Sequence, residues 1–80
     1  MNYLSLIENM IRPLIDHPED LRVKEFPSED DARFIQVFVN QEDLGRVIGK
    51  QGKVASAIRT LAISAGAKDQ IKLKINFDAY

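Results

Sequence analysis

The sequence predicts a single α+β domain over residues 1–80, with elements in the order α-β-β-α-α-β and a three-stranded sheet carrying its helices on one face. Three observations lead there. Apolar residues recur at helical spacing in three segments, and they alternate with period two in three others. A pair of helical segments separates the last two alternating ones. A chain of 80 residues makes one small domain. Such a chain buries only roughly 60% of its unfolded surface, so association adds usefully to its stability.

Tyr3, Leu4, Ile7, Met10, Ile11, Leu14 and Ile15 form the stripe of a first amphipathic helix. Pro13 removes one backbone donor and bends the last turn; Pro18 requires the helix to be over by His17. Leu21–Phe26 reads as a short strand with Leu21 and Val23 on one face, and 27–31 as a turn. Residues 32–40, ARFIQVFVN, give the strongest strand signal. Ile35, Val37 and Val39 point one way; Phe34, Gln36 and Phe38 point the other. Phe34 and Phe38 then lie on an open face, covered by neighbours or by a partner.

Asn40 is expected to cap the next helix, with Asp43 three residues on in a box-like arrangement. Leu44, Val47 and Ile48 form its stripe, and Gly49 suits the left-handed residue that ends it. A longer helix starts near Gly52–Lys53. It is expected to bury Val54, Ala57, Ile58, Leu61, Ala62 and Ala65 and to end at Gly66. The last strand is 70–77, QIKLKINF, with Ile71, Leu73, Ile75 and Phe77 inward. Lys72 and Lys74 read as the wet face of an antiparallel-type strand, while the helical pair leaves a crossover connection open.

Hydrophobic residues make up 45% of the chain and charged ones 29%, the balance of a soluble globular protein. There is no cysteine, so disulfides and thiolate metal sites are excluded. The opening MNYLSLIENM has no basic leader before an apolar run, and no stretch reaches the ~20 apolar residues of a membrane span. A cytoplasmic protein without a membrane partner is expected. The net charge of −1 conceals an asymmetry. Residues 1–43 hold four bases and ten acids, whereas residues 44–74 hold seven bases and one acid, Asp69. A basic half points to an anionic partner.

That half opens with LGRVIGKQGK, residues 44–53, which has three glycines, Arg46, Lys50 and Lys53, and no acid. G-x-x-G alone is a weak signal, and its context sharpens it. The loop joins two helices and lies at the N-terminus of the second, where amides and the helix dipole favour an anion. Its glycines let a phosphodiester backbone approach without meeting a Cβ.

With these elements around it, the stretch DLGRVIGKQGKVASAIRTL, 43–61, resembles the KH domain of type II, and in particular the small bacterial single-KH proteins of the KhpA class. The resemblance covers essentially the whole chain. It implies a type II KH fold and single-stranded RNA binding, with Gly49, Lys50, Gln51 and Gly52 clamping the sugar–phosphate backbone of about four unpaired nucleotides. Bases would lie in an apolar groove between the helical pair and the neighbouring strand. Lys53 adds charge to the clamp. By position, Gly45, Arg46 and Ile48 on the first helix of the pair and Val39 on the strand are groove candidates, and Arg59 is either an RNA contact or a solvated charge. At Gly45, either a ligand or a neighbouring helix is expected to approach closely. The region has no aromatic on which a base would stack, so one copy is expected to bind weakly.

The resemblance further implies self-pairing and pairing with a larger KH-containing protein of the KhpB class. It also implies RNA chaperone or post-transcriptional regulatory activity, with a role in cell shape and cell wall biogenesis. A homodimer is expected through helix 53–65, with Leu61 near its centre and Ile58 and Ala62 beside it, unless Leu61 is ordinary core. The competing function is a protein-interaction subunit that contributes a dimer face while its partner makes most RNA contacts.

Catalysis is not expected. His17, the only histidine, sits beside Pro18 in a turn and reads as a surface residue. Ser5, Ser28, Ser56 and Ser64 have no nearby base. The acids at 29–31 lack the spacing of a calcium loop, and Gly52-Lys53 is followed by Val54 rather than a P-loop hydroxyl. No cofactor and no metal are expected.

Overall fold

The computed structural model describes residues 2–28 and 31–80. Helix α1 (Tyr3–Ile11) is followed by 3₁₀ turns at Arg12–Leu14 and Pro18–Asp20. Strands β1 (Arg22–Phe26) and β2 (Arg33–Val39) come next, then helix α2 (Gln41–Ile48), a 3₁₀ turn at Lys50–Gly52, helix α3 (Lys53–Lys68) and strand β3 (Leu73–Ala79). The expected order α-β-β-α-α-β is therefore the observed one. The turn expected over 27–31 falls partly outside the described residues, at Glu29 and Asp30.

β2 is the middle strand, pairing antiparallel with β1 and parallel with β3. Lys72 and Lys74 thus lie before and on a parallel strand, not an antiparallel one, because the chain reaches β3 by crossing over through α2 and α3. The alternation still holds: Leu73, Ile75 and Phe77 are buried, and Lys74, Asn76 and Asp78 are exposed. The helices cover one face. Tyr3, Ile7 and Ile11 from α1 and Ala55, Ile58 and Ala62 from α3 close with Ile35, Val37, Val39, Leu73, Ile75 and Phe77 into one core.

Local chemistry accounts for the element ends. Asn2 caps α1 through the amide of Ser5 at 3.2 Å, and Pro13 coincides with the change to 3₁₀ geometry. Asn40 caps α2 through the amide of Glu42 at 2.8 Å. The expected capping box does not form, because Asp43 turns inward instead. α3 does not end at Gly66. It runs to Lys68, and Gln70, at φ 60°, takes the left-handed position that closes it. Gly66 is buried inside the helix, where an added Cβ would lie 2.7 Å from the Ile71 carbonyl oxygen and 3.1 Å from Leu73 Cγ. That close approach, with the Ile71 amide donating to the Gly66 carbonyl at 2.8 Å, delays β3 to Leu73 rather than residue 70.

The inward face of α3 is Ala55, Ile58, Ala62 and Gly66; Val54 and Ala65 are half-buried, while Ala57 and Leu61 are exposed. The start of α1 is tied to the end of α3 and to β2: the Tyr3 hydroxyl donates to Asp69, and the Arg33 guanidinium sits 5.2 Å from the Tyr3 ring centroid. No helix among the described residues is long and apolar enough to cross a membrane.

Candidate nucleic-acid interface

Residues 49–53 bridge the end of α2 and the start of α3. Gly49 has φ 76° and ψ 174°, so it is a positive-φ residue that sends the chain out extended rather than the left-handed helical cap expected there. Gln51 (φ 57°, ψ 27°) and Gly52 (φ 74°, ψ 12°) are both left-handed. The backbone penalty therefore falls on Gln51, a non-glycine residue held in a left-handed conformation, and not on the glycines beside it.

The two glycines differ in their surroundings. A Cβ on Gly49 would meet Val54 Cγ2 at 2.3 Å and the Val54 amide nitrogen at 2.9 Å, so this position lets the loop fold back on α3. Nothing lies within 4 Å of a Cβ on Gly52 or on Gly45. No neighbouring helix of this chain crowds Gly45, which leaves its surface open to a ligand.

Lys50, Gln51 and Lys53 are exposed around this turn. No side chain caps the N-terminus of α3. The exposed Lys50 and Lys53 flank that terminus in the chain, an arrangement suited to an anion.

The other expected site residues divide. Ile48 is half-buried against the core. Val39 is 1% exposed and belongs to the core, so it lines no groove. Among the described residues there is no enclosed pocket, and the loop stands as an open surface. Arg59, on α3, is not a freely solvated charge. Its Nε donates to the Ile75 carbonyl at 3.1 Å and its guanidinium lies 5.0 Å from the Phe77 centroid, which fixes it along β3. Ile58 and Ala62, expected in a dimer face, are 4% and 0% exposed inside the core of a single chain; Leu61 is 61% exposed and is not core.

Arg46 brings in residues that sequence reading missed. Its Nη2 pairs with Asp16 Oδ2 at 2.9 Å, and its Nε lies 3.9 Å from the buried Asp43. Asp43 accepts from the amides of Asp16 at 3.0 Å and His17 at 2.9 Å. Burial alone would push its carboxyl up, but those two amides, His17 and Arg46 hold it below its ordinary value of 3.8. His17 in turn bonds Glu42 at 3.0 Å, which raises its pKa above 6.5 against the opposing effect of burial. The turn after α1 is thereby pinned to the first turns of α2. Nothing in the linear sequence links residues 16–17 to 42–46; only the fold brings them together. The Arg46–Asp16 pair is exposed, and such pairs are worth at most about 1 kcal/mol.

The model of the family described as KhpA/KhpB, KH domain, matches residues 5–77. The chain belongs to that family. The KhpA/KhpB match takes in every element from α1 to β3 except the ends of the first and last. The RNA-binding protein KhpA of Listeria monocytogenes serovar 1/2a is 45% identical over 72 residues, covering 89% of this chain and 92% of that one. KhpA of Bacillus subtilis strain 168 is 41% identical over 77 residues, covering 95% of this chain and 90% of its own. KhpA of Clostridium perfringens is 40% identical over 71 residues, covering 89% and 93%. Among solved structures, Era in complex with MgGDPNP and nucleotides 1506–1542 of 16S ribosomal RNA superposes with a TM-score of 0.64 at 17% identity. That match covers 96% of this chain and 29% of the Era chain, and it shows a shared fold. The mixed three-stranded sheet with its helical pair is the type II KH fold.

Proposed function

We propose that the chain is a single-stranded RNA-binding protein that clamps a sugar–phosphate backbone on the loop Gly49–Gly52. The observation that carries this reading is the loop's geometry. Three of its four residues have positive φ, and the N-terminus of α3, without a side-chain cap, lies next to the exposed Lys50 and Lys53. Arg46 and Gly45 extend that surface along α2. Its relatives' designation as RNA-binding proteins supports the same ligand. An open, pocket-free site suits a backbone clamp rather than catalysis on a small molecule. In this reading the protein acts in the cytoplasm as an RNA chaperone or post-transcriptional regulator, with a role in cell shape and cell wall biogenesis.

The test replaces Lys50 and Gln51 by Asp. Both side chains are exposed, and aspartate tolerates the left-handed conformation at position 51 better than most residues, so folding should shift by no more than about 0.5 kcal/mol. Two carboxylates placed where phosphate must sit should weaken RNA binding at least about tenfold, or about 1.4 kcal/mol. Binding equal to the parent's would reduce the loop to a helix–helix turn.

One observation favours a second reading. Ser56, Ala57, Thr60, Leu61, Ser64 and Ala67 make an exposed, uncharged face along α3. It suits a homodimer, or a heteromer with a larger KH protein of the KhpB class, in which the partner makes most RNA contacts.

A further inference from the structure

The sheet face turned away from the helices has an unusual composition. A strand pair that runs parallel is ordinarily covered on both sides, whereas β2 and β3 have helices on one side only. The register places Phe26 beside Phe34, Arg22 beside Phe38 and Lys24 beside Gln36 on this open face, with Lys74, Asn76 and Asp78 across from them on β3. Tyr80 continues the same side, its ring stacked on Phe38 with centroids 5.8 Å apart. Every apolar side chain here is aromatic. Four of the chain's six aromatic residues are on this face, while Val23, Ile35, Val37, Val39, Leu73 and Ile75 all point the other way. Phe26 is 44% exposed and Tyr80 is 64% exposed. Among the described residues paired in the sheet, this face carries the cations Arg22, Lys24 and Lys74 and one acid, Asp78.

We propose that this face is a second contact surface for single-stranded RNA, separate from the loop, in which Phe26 and Tyr80 stack bases and Lys24 meets phosphates. The proposal rests on the RNA-binding reading given above. Rings interleaved with cations are the chemistry of a single-strand platform: each base offers a π-face, and stacking tolerates any sequence. The absence of aliphatic anchors and the positive balance favour a polyanion over a protein surface. Phe34 and Phe38 are four residues apart on β2, about 13 Å, so the aromatic groups at the two ends of the face hold separate bases. The face supplies the stacking that the loop, with no aromatic near it, lacks.

The test compares the parent with Phe26→Ser/Tyr80→Ser, both rings being exposed, against mixed-sequence RNAs of about four and about twelve nucleotides. A strand carries one phosphate per about 3.4 Å, so about twelve nucleotides span ~40 Å, while about four fill the loop alone. That longer span exceeds the largest extent of the molecule, 34 Å. The variant should bind the longer RNA about tenfold more weakly and the shorter one as the parent does. Should it melt below the parent, Lys24→Glu replaces it, with the same expected split. Unchanged affinity for the longer RNA overturns the proposal, as does an altered sedimentation coefficient with unchanged RNA affinity, which would make the face a protein surface. Loop variant Lys50→Asp/Gln51→Asp separates the two readings: failure of the clamp shows as retained binding of the shorter RNA there, failure of this face as retained binding of the longer RNA here.

Discussion

At the scale of single residues, Gly49 and Gly52 look interchangeable in a G-x-x-G motif, and the fold makes them unequal. Both have positive φ, 76° and 74°. Alanine at Gly52 faces only the backbone penalty, about 1–2 kcal/mol, because nothing lies within 4 Å of its Cβ. Alanine at Gly49 would also press on the side chain and amide of Val54, at 2.3 and 2.9 Å. Gly49→Ala is therefore expected to cost about 3 kcal/mol or more in urea unfolding, clearly beyond Gly52→Ala. Equal losses would show that Val54 simply moves aside. The glycines themselves were legible in the sequence; the left-handed Gln51 was not, because its φ is set by where α3 must dock rather than by its own preference. His17 is at the surface, as the sequence predicts, but its partner Glu42, 25 positions away, was not legible there. Its raised pKa makes the bond's contribution to stability complete below 6.5 and lost as pH rises through the higher folded-state value. Asp43 works in the opposite sense, contributing above 3.8 and losing its contribution as pH falls through its depressed value. His17→Gln is thus expected to unfold at lower urea than the parent near pH 5.5 and to converge on it by about pH 9. A constant difference across that range would mean the imidazole acts by packing rather than by charge.

At the scale of elements, order and type were readable throughout, since each segment's periodicity agrees with its final state. What the sequence misjudged was the rotation of α3. Its apolar stripe is wider than the face the core can accept, so Ala55 and Gly66 go in, while Ala57 and Leu61 stay out. Tight packing selects the small residues: Ala62 is fully buried, and Gly66 allows the approach of Ile71. The surplus is informative, because a leucine 61% exposed on an uncharged helix face gains from being covered. Leu61→Lys is expected to stay folded, with its melting temperature nearly unchanged, and to lose on sedimentation the homodimer proposed for the parent. An intact dimer in that variant moves the interface off α3. Unfolding would contradict the exposure of the side chain.

At the scale of the whole molecule, the basic half of the sequence does not fold into one patch. Arg46, Lys50 and Lys53 surround the loop, whereas Lys68, Lys72 and Lys74 lie around the far end of α3 and beyond it. Lys53 and Lys68 are fifteen residues apart on one helix, about 22 Å. Charge along the chain could not reveal this, since a helix spreads a contiguous run over its length. The separation sets the salt dependence. In the proposed clamp, the loop would neutralise about three to four phosphates of an RNA of about four nucleotides, which gives a log–log slope of about −2 to −3 for a single strand. A strand of about twelve nucleotides is expected to reach cations beyond the loop, and each further phosphate neutralised steepens the slope by about 0.7. Titrations from low to moderate salt are therefore expected to give about −2 to −3 for the short RNA and about −4 to −5 for the long one. Identical slopes would confine phosphate contact to the loop end of α3. A slope near zero for the short RNA would remove the clamp altogether, because no arrangement of Lys50, Lys53 and helix amides binds phosphate without displacing counterions.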